Sequence, residues 1–335
     1  MPNELRIALI GCGKQAPKHI SGLRQLPGVR LVLADIDPET ARTLAEKESL
    51  EWLPHPDEVL ADPGIQAVDI CVPTSAHTDL IRQALSAKKD FFCEKPLCAD
   101  LTEARSIFQA VRQSRQVGMV GYVYRFAPVF ELARNLSQPI SNFLHDNPLG
   151  PIRFAHFRLG GRGSHQPWKH SRHMFGGAAN EMLVHMLDLA LWFFGEPAQV
   201  RLLQRALLRP QREFQGQWQT VDADDYIAAE LRFASGILVV CQADLLTPSF
   251  TQFVELQGDC GSFMGSIMPE FPGFLFTSAV ANDWKTGHNS LRFPATNLFE
   301  AQMAEFVRAV RARTQPDRCT VEDAVRIMEI MERLQ

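Results

Sequence analysis

The stretch Leu5-Arg6-Ile7-Ala8-Leu9-Ile10-Gly11-Cys12-Gly13-Lys14-Gln15-Ala16 decides the fold. Its first half, apolar except for Arg6, has the pattern of a short buried strand, and it stops at two glycines one residue apart. Residues 17–26 can then form a helix, so the order is strand, glycine turn, helix. Working outward, residues 31–34 (LVLA) supply a second buried strand that ends at Asp35-Ile36-Asp37-Pro38. Pro38 opens a helix carrying Ala41, Leu44 and Ala45, with Asp37 as its N-cap. Strands over residues 67–72, 91–93 and 117–123 alternate with helices over 79–87 and 101–114. Repeated β then α at this spacing implies right-handed crossovers and a parallel sheet covered on both faces.

The hexapeptide alone would fit any tight turn, and its neighbours give it chemical meaning. Gly11 permits the turn, Gly13 lets the backbone approach a pyrophosphate, and Ala16 takes the third position, where only a small side chain is needed. The following helix N-terminus faces the phosphates. Cys12, Lys14 and Gln15 complete the loop. Asp35, about 20 residues further at the end of the next strand, is placed to accept hydrogen bonds from a ribose diol and to repel a 2'-phosphate. The first domain therefore reads as a Rossmann dinucleotide-binding fold, with NAD favoured over NADP.

Composition narrows the rest. A chain of 335 residues exceeds what one core usually organises, and two domains are expected, 1–123 and 124–335. Hydrophobic residues at 46% and charged residues at 21% are those of an ordinary globular protein. A net charge of -4 without clustered Lys and Arg argues against a nucleic-acid partner. No apolar run reaches the roughly 20 residues that span a bilayer, and Met1-Pro2-Asn3-Glu4 lacks the basic-then-apolar order of a signal peptide. No membrane association and a cytoplasmic location are expected. The 7 cysteines have no C-x-x-C pair, and the 10 histidines lie apart from them, so reduced thiols and no structural metal are expected.

From Val68 the chain reads VDICVPTSAHTDLIRQALSAKKDFFCEKPLCADLTEA, and with Glu94-Lys95-Pro96 it resembles the glucose-fructose oxidoreductase, inositol dehydrogenase and MocA family. Pro73 to His77 matches the P-x-x-x-H stretch that precedes E-K-P in that family, residues 120–128 (VGYVYRFAP) match its domain junction, and residues 176–188 its second catalytic motif. The resemblance implies that Lys95 lies beside the nicotinamide and takes part in catalysis, with Pro73, Thr74, His77 and Glu94 on the cofactor side. Read from the residues alone, Lys95 follows the apolar strand 91–93 at the carboxyl edge of the sheet, where ligands collect; a solvated loop lysine like Lys88 or Lys89 is the bland alternative.

In the second half, residues 152–159, 226–233, 237–243 and 250–257 read as strands of an open, largely antiparallel sheet, and residues 298–313 and 321–334 as helices. The fold class is thus α/β: a doubly wound parallel sheet followed by an α+β domain. Many of these strands are apolar throughout, and the resemblance implies that their outer face packs against another subunit in a homodimer or homotetramer. Glu181, His185 and Asp188 stand at i, i+4 and i+7 of an otherwise apolar helix and would share one face. A core histidine satisfied by a neighbour is the alternative. The family's usual motif is D-x-x-x-H, with the histidine accepting a proton; His185 matches, and Glu181 departs from the aspartate by one methylene. Substrate contacts are expected from Lys95, Arg125, Trp168, Asn180, Glu181 and His185, with the polar loop 162–172 able to close over a hydroxylated molecule.

Together these readings predict hydride transfer between NAD and a hydroxyl-bearing carbon of a sugar, polyol or sugar derivative, with Lys95, His185 and Glu181 catalytic. Two rivals share the fold: an NAD-dependent glycosidase with no net redox change, and a dinucleotide-binding regulator. Net NADH production from a free sugar separates the first, and the presence of both Lys95 and His185 speaks against the second.

Overall fold

A computed structural model of the chain describes residues 4–138, 147–162, 166–278 and 284–335. Two compact units share the chain, Met1–Val123 with Asn297–Met328, and Tyr124–Thr296 with Glu329–Gln335.

In the first unit, strands β1 (Leu5–Ile10), β2 (Val29–Ala34), β3 (Glu51–Leu53), β4 (Ala67–Ile70), β5 (Asp90–Cys93) and β6 (Gly118–Val120) alternate with helices α1 (Ala16–Arg24), α2 (Pro38–Glu48), α3 (Pro56–Ala61), α4 (His77–Ser86) and α5 (Leu101–Gln113). The strands form one parallel sheet in the order β3-β2-β1-β4-β5-β6. Every residue of β4 and β5 is buried, as expected of strands covered on both faces. Local chemistry sets the helix starts. The Asp37 carboxylate accepts from Glu39 N at 3.2 Å with Pro38 behind it, and Asp100 accepts from Glu103 N at 3.0 Å at the start of α5.

The second unit holds helix α6 (Pro128–Ser137), strand β7 (Ile152–Gly160), helix α7 (Val184–Phe194) and strands β8 (Pro197–Ala206), β9 (Gln211–Phe214), β10 (Gln217–Thr220), β11 (Tyr226–Phe233), β12 (Leu238–Asp244), β13 (Thr251–Gly258), β14 (Gly261–Gly265), β15 (Gly273–Thr277) and β16 (Gly287–Leu291). Eight of these strands form one sheet, in the order β16-β15-β14-β13-β7-β12-β11-β8, and β9 and β10 form a separate hairpin. Only β7 and β12 run parallel; every other pair in the large sheet is antiparallel. Helices α6 and α7 cover one face, where Phe157 packs edge-on against Phe193 with ring centroids 5.3 Å apart. On the other face Phe154, Val240, Phe253, Met264, Phe274 and Phe276 are exposed or half-buried.

Helices α8 (Leu298–Ala312) and α9 (Val321–Arg333) were expected with the second domain, but residues 297–328 return to the first unit. The cause is the fit of α8 on α1: Gly22 brings the two backbones so close that a Cβ there would lie 2.8 Å from the Phe299 carbonyl. Arg311 also donates to the Pro27 carbonyl at 2.5 Å. The strand expected over 117–123 is shorter, because after Val120 the chain turns into a 3₁₀ segment, Val123–Phe126.

Candidate active site

The glycine turn is built by close approach. Gly11 has φ +101°, and a Cβ on it would lie 2.5 Å from the Cys71 carbonyl at the end of β4, so only glycine fits. Gly13 is the opposite case: it is exposed, and a Cβ there would meet nothing within 4 Å, which leaves open space over its backbone. The Cys12 amide donates to Asp35 Oδ2 at 2.7 Å and the Asp37 amide to Oδ1 at 3.0 Å, fixing the carboxylate beside the turn with lone pairs to spare. Burial, reinforced by the Asp35 charge, pushes the Cys12 thiol up to about 12, so it stays protonated. Lys14 is exposed, and the buried Gln15 Oε1 has no hydrogen-bond partner among the described residues. An open glycine backbone at a helix N-terminus, an oriented carboxylate and an acceptor awaiting a donor are what a dinucleotide requires.

Beyond β5, the Glu94 amide donates to the Ile70 carbonyl at 3.0 Å, and the Lys95-Pro96 peptide is cis. His77, expected on the cofactor side, is instead buried, with Nδ1 2.9 Å from the Pro96 carbonyl and Nε2 2.9 Å from the Val72 carbonyl. It fastens the lysine turn to the end of β4. Burial lowers its pKa, against the pull of those carbonyls. Pro73 is exposed, Thr74 is buried, and Lys95 is half-buried with its amide donating to Glu94 Oε2 at 3.1 Å. The other oxygen, Oε1, lies 3.0 Å from Nε2 of His19, a residue the sequence reading passed over. Its signal was present, three residues past Ala16 on the buried stripe Ala16, His19, Ile20, Leu23.

In the second unit the motif around His185 begins as a π-helix, Ala179–Leu183, that runs into α7. Gly176 and Gly177 precede it: a Cβ on Gly176 would lie 2.4 Å from the Lys169 carbonyl, and Gly177 has φ +103°. Asp224 caps the start, accepting the Ala179 amide at 2.9 Å on Oδ2. Of the three polar residues expected on one face, Glu181 and His185 are half-buried and Asp188 is buried. Glu181 forms an ion pair with Lys169, whose ammonium lies 5.1 Å from the centre of the Trp168 ring. His185 is half-buried, its ring 4.9 Å from that of Tyr124 and tilted by 52°. Burial pushes the Tyr124 hydroxyl up, so it stays a neutral phenol.

Asp188 is 1% exposed and Arg125 3% exposed; Arg125 Nε reaches Asp188 Oδ1 at 3.0 Å and Nη2 reaches it at 2.8 Å. Arg125, expected at the substrate, forms a buried pairing between the start of the second unit and α7. Asn180 is half-buried, with Nδ2 donating to the Gly176 carbonyl at 3.4 Å. In the loop 162–172, residues 163–165 lie outside the described residues, and Pro167–His170 is a 3₁₀ turn that carries both Trp168 and Lys169. Lys169 was missed because a lysine beside a tryptophan has no spacing signature.

Comparison with known proteins agrees with this arrangement. A profile described as an oxidoreductase family with NAD-binding Rossmann fold matches residues 5–122, and a GFO/IDH/MocA C-terminal domain profile matches residues 138–264. The scyllo-inositol 2-dehydrogenase (NAD(+)) of Bacillus subtilis is 31% identical over 207 residues, 58% of this chain and 55% of that protein. The levoglucosan dehydrogenase of Pseudarthrobacter phenanthrenivorans is 25% identical over 296 residues, 78% of this chain and 73% of that protein. Among solved structures, a levoglucosan dehydrogenase in complex with NADH and L-sorbose superposes with a TM-score of 0.86 at 21% identity, covering 100% of this chain and 96% of that one. With its glycine turn, Glu94-Lys95-Pro96 and His185 in these settings, the chain belongs to the glucose-fructose oxidoreductase, inositol dehydrogenase and MocA family of NAD-binding oxidoreductases.

Proposed function

We propose that this protein is a dehydrogenase that uses NAD to oxidise a hydroxyl-bearing carbon of a sugar, polyol or sugar derivative. The observation that carries the reading is the setting of His185: within a helix whose Met186, Leu187, Asp188 and Leu189 are buried, the imidazole remains half-exposed. The resemblance to inositol and levoglucosan dehydrogenases supports the substrate class.

Gly11, Gly13 and the α1 N-terminus would hold the pyrophosphate of NAD, and Asp35 its adenosine ribose. Bound there, NAD supplies the acceptor for the hydride that leaves the hydroxyl-bearing carbon. His185 accepts the hydroxyl proton, and the Lys95 ammonium donates a hydrogen bond to the same oxygen as negative charge grows on it. The carbon thereby loses one hydride, the oxygen one proton, and a carbonyl remains. Glu181, neutralised by Lys169, orients the substrate rather than abstracting a proton. Trp168 and Asn180 border it.

We also propose that the protein works in the cytoplasm as a homodimer or homotetramer. Seven free thiols, five of them buried, support a reducing compartment. The apolar face of the large sheet, with Phe154 at 46% and Phe274 at 36% exposure, supports subunit contact. Among the described residues no helix is long and apolar enough to cross a membrane.

The experiment that tests the function is a panel of polyols, aldoses and sugar derivatives offered with NAD or NADP, read by the absorbance of reduced nicotinamide. Reduction of NAD by at least one member is expected. An unresponsive panel, with the corresponding ketones also failing to oxidise NADH, contradicts the proposal.

A further inference from the structure

His19 lies on the buried face of α1, where Ala16, Ile20 and Leu23 are apolar, and the histidine itself is fully buried. A polar ring at such a position costs free energy unless each nitrogen finds a partner. Both do, and both partners are carboxylates. Nδ1 lies 3.0 and 2.9 Å from the two oxygens of Asp69 on β4, and Nε2 lies 3.0 Å from Glu94 Oε1 just past β5. An ionised carboxylate only accepts, so both ring nitrogens must donate and the ring must be an imidazolium. Burial by itself would push its pKa down, but the charge and hydrogen bond of Asp69, then those of Glu94, raise it to about 10.

The Phe92 and Phe299 rings wall the imidazole at 5.7 and 5.6 Å. Lys18, the nearest cation on α1, stands with its ammonium 5.5 Å from the centre of the Phe299 ring. The Cys71 and Cys93 thiols are pushed up by burial, then by the carboxylates nearby, and stay neutral. Glu94 is half-buried, and its carboxylate lies against Gly121, where a Cβ would come within 3.3 Å of it. Its second oxygen accepts the Lys95 amide.

We propose that His19 is a positioning residue for Lys95: its ring, anchored on Asp69, fixes the Glu94 carboxylate and through it the backbone of the lysine. The path runs from the helix that opens at the glycine turn, across the ends of β4 and β5, to the Glu94-Lys95-Pro96 turn. The proposal rests on the reading of Lys95 as the group that meets the substrate oxygen. A fold-stitching role alone would need no coupling to that lysine.

The test combines two readouts that need no substrate with one that does. Nitrogen chemical shifts of the His19 ring in the wild-type protein should show a doubly protonated imidazolium at neutral pH. The Lys95 amide resonance should move in His19→Gln and in Glu94→Gln. With an oxidisable substrate, His19→Gln should lower kcat about 10-fold with KM and NAD affinity nearly unchanged, and the double variant with Glu94→Gln should lose no more than either single one. A neutral ring at neutral pH, an unmoved Lys95 amide, or additive losses would overturn the proposal. Should His19→Gln not fold, the wild-type ring and the Glu94→Gln amide decide alone. If no substrate is turned over, the dehydrogenase reading fails while the resonances still judge His19.

Discussion

The two regions that carry chemistry spend their charges in opposite ways. Beneath the Lys95 turn, the His19 ring is shared between two carboxylates, Asp69 and Glu94. Around His185 each carboxylate has its own cation, Glu181 with Lys169 and Asp188 with Arg125, and an aromatic ring lies against the imidazole. The difference teaches which groups act and which hold. A carboxylate matched to a buried cation has its charge spent in the fold, whereas Lys95 and His185, the two groups proposed to act, are half-buried.

The largest effects should fall on those two groups. Lys95→Ala and His185→Ala should each lower turnover on the order of 100-fold or more, with NAD affinity by calorimetry nearly intact, and their effects should not add. Steady-state rates of the singles and the double decide this; a variant with near-normal turnover removes its residue from the chemistry.

The Arg125–Asp188 pair sharpens the contrast, since its loss should appear as instability. Arg125→Ala removes this cation from a buried carboxylate and should cost about 3–5 kcal/mol in a denaturant titration. A folded variant of normal stability with a raised KM would return Arg125 to the substrate.

His19 gives the pH dependence. Its folded pKa, about 10, stands above the ordinary histidine value, so its stabilisation is complete below about pH 6.5 and is lost as pH rises toward 10. The stability difference between wild type and His19→Gln should therefore shrink across that window. A difference that grows with pH would contradict the assignment.

A smaller change is expected at the cofactor end. Asp35→Ser should weaken NAD and relatively favour NADP, by roughly 10-fold in the ratio of affinities. An unchanged ratio would reduce Asp35 to a brace for the Cys12 amide.

The first unit was legible because its signals are local. Apolar runs ending at Gly11, Asp35 and Glu94 mark strand ends, and the N-cap role of Asp37 follows from Pro38. The motif could not report that both His77 ring nitrogens face backbone carbonyls, at Pro96 and Val72. In the second unit, helical spacing put Glu181, His185 and Asp188 on one face, but it could not report that Asp188 is buried against Arg125. The Lys169–Glu181 and His19–Glu94 contacts join residues 12 and 75 positions apart, which no periodicity reports. The return of α8 to α1 is equally a matter of packing, at Gly22.

The central claim is that His185 takes the proton as the carbon gives up its hydride. A single-turnover experiment tests it most directly: the NAD complexes of wild type and His185→Ala are mixed with a substrate from the panel, and reduced nicotinamide is followed with a proton indicator. The account predicts that wild type forms NADH in a fast phase with a proton released, while the variant binds NAD normally and shows no fast phase. Equal fast phases in the two proteins would contradict it.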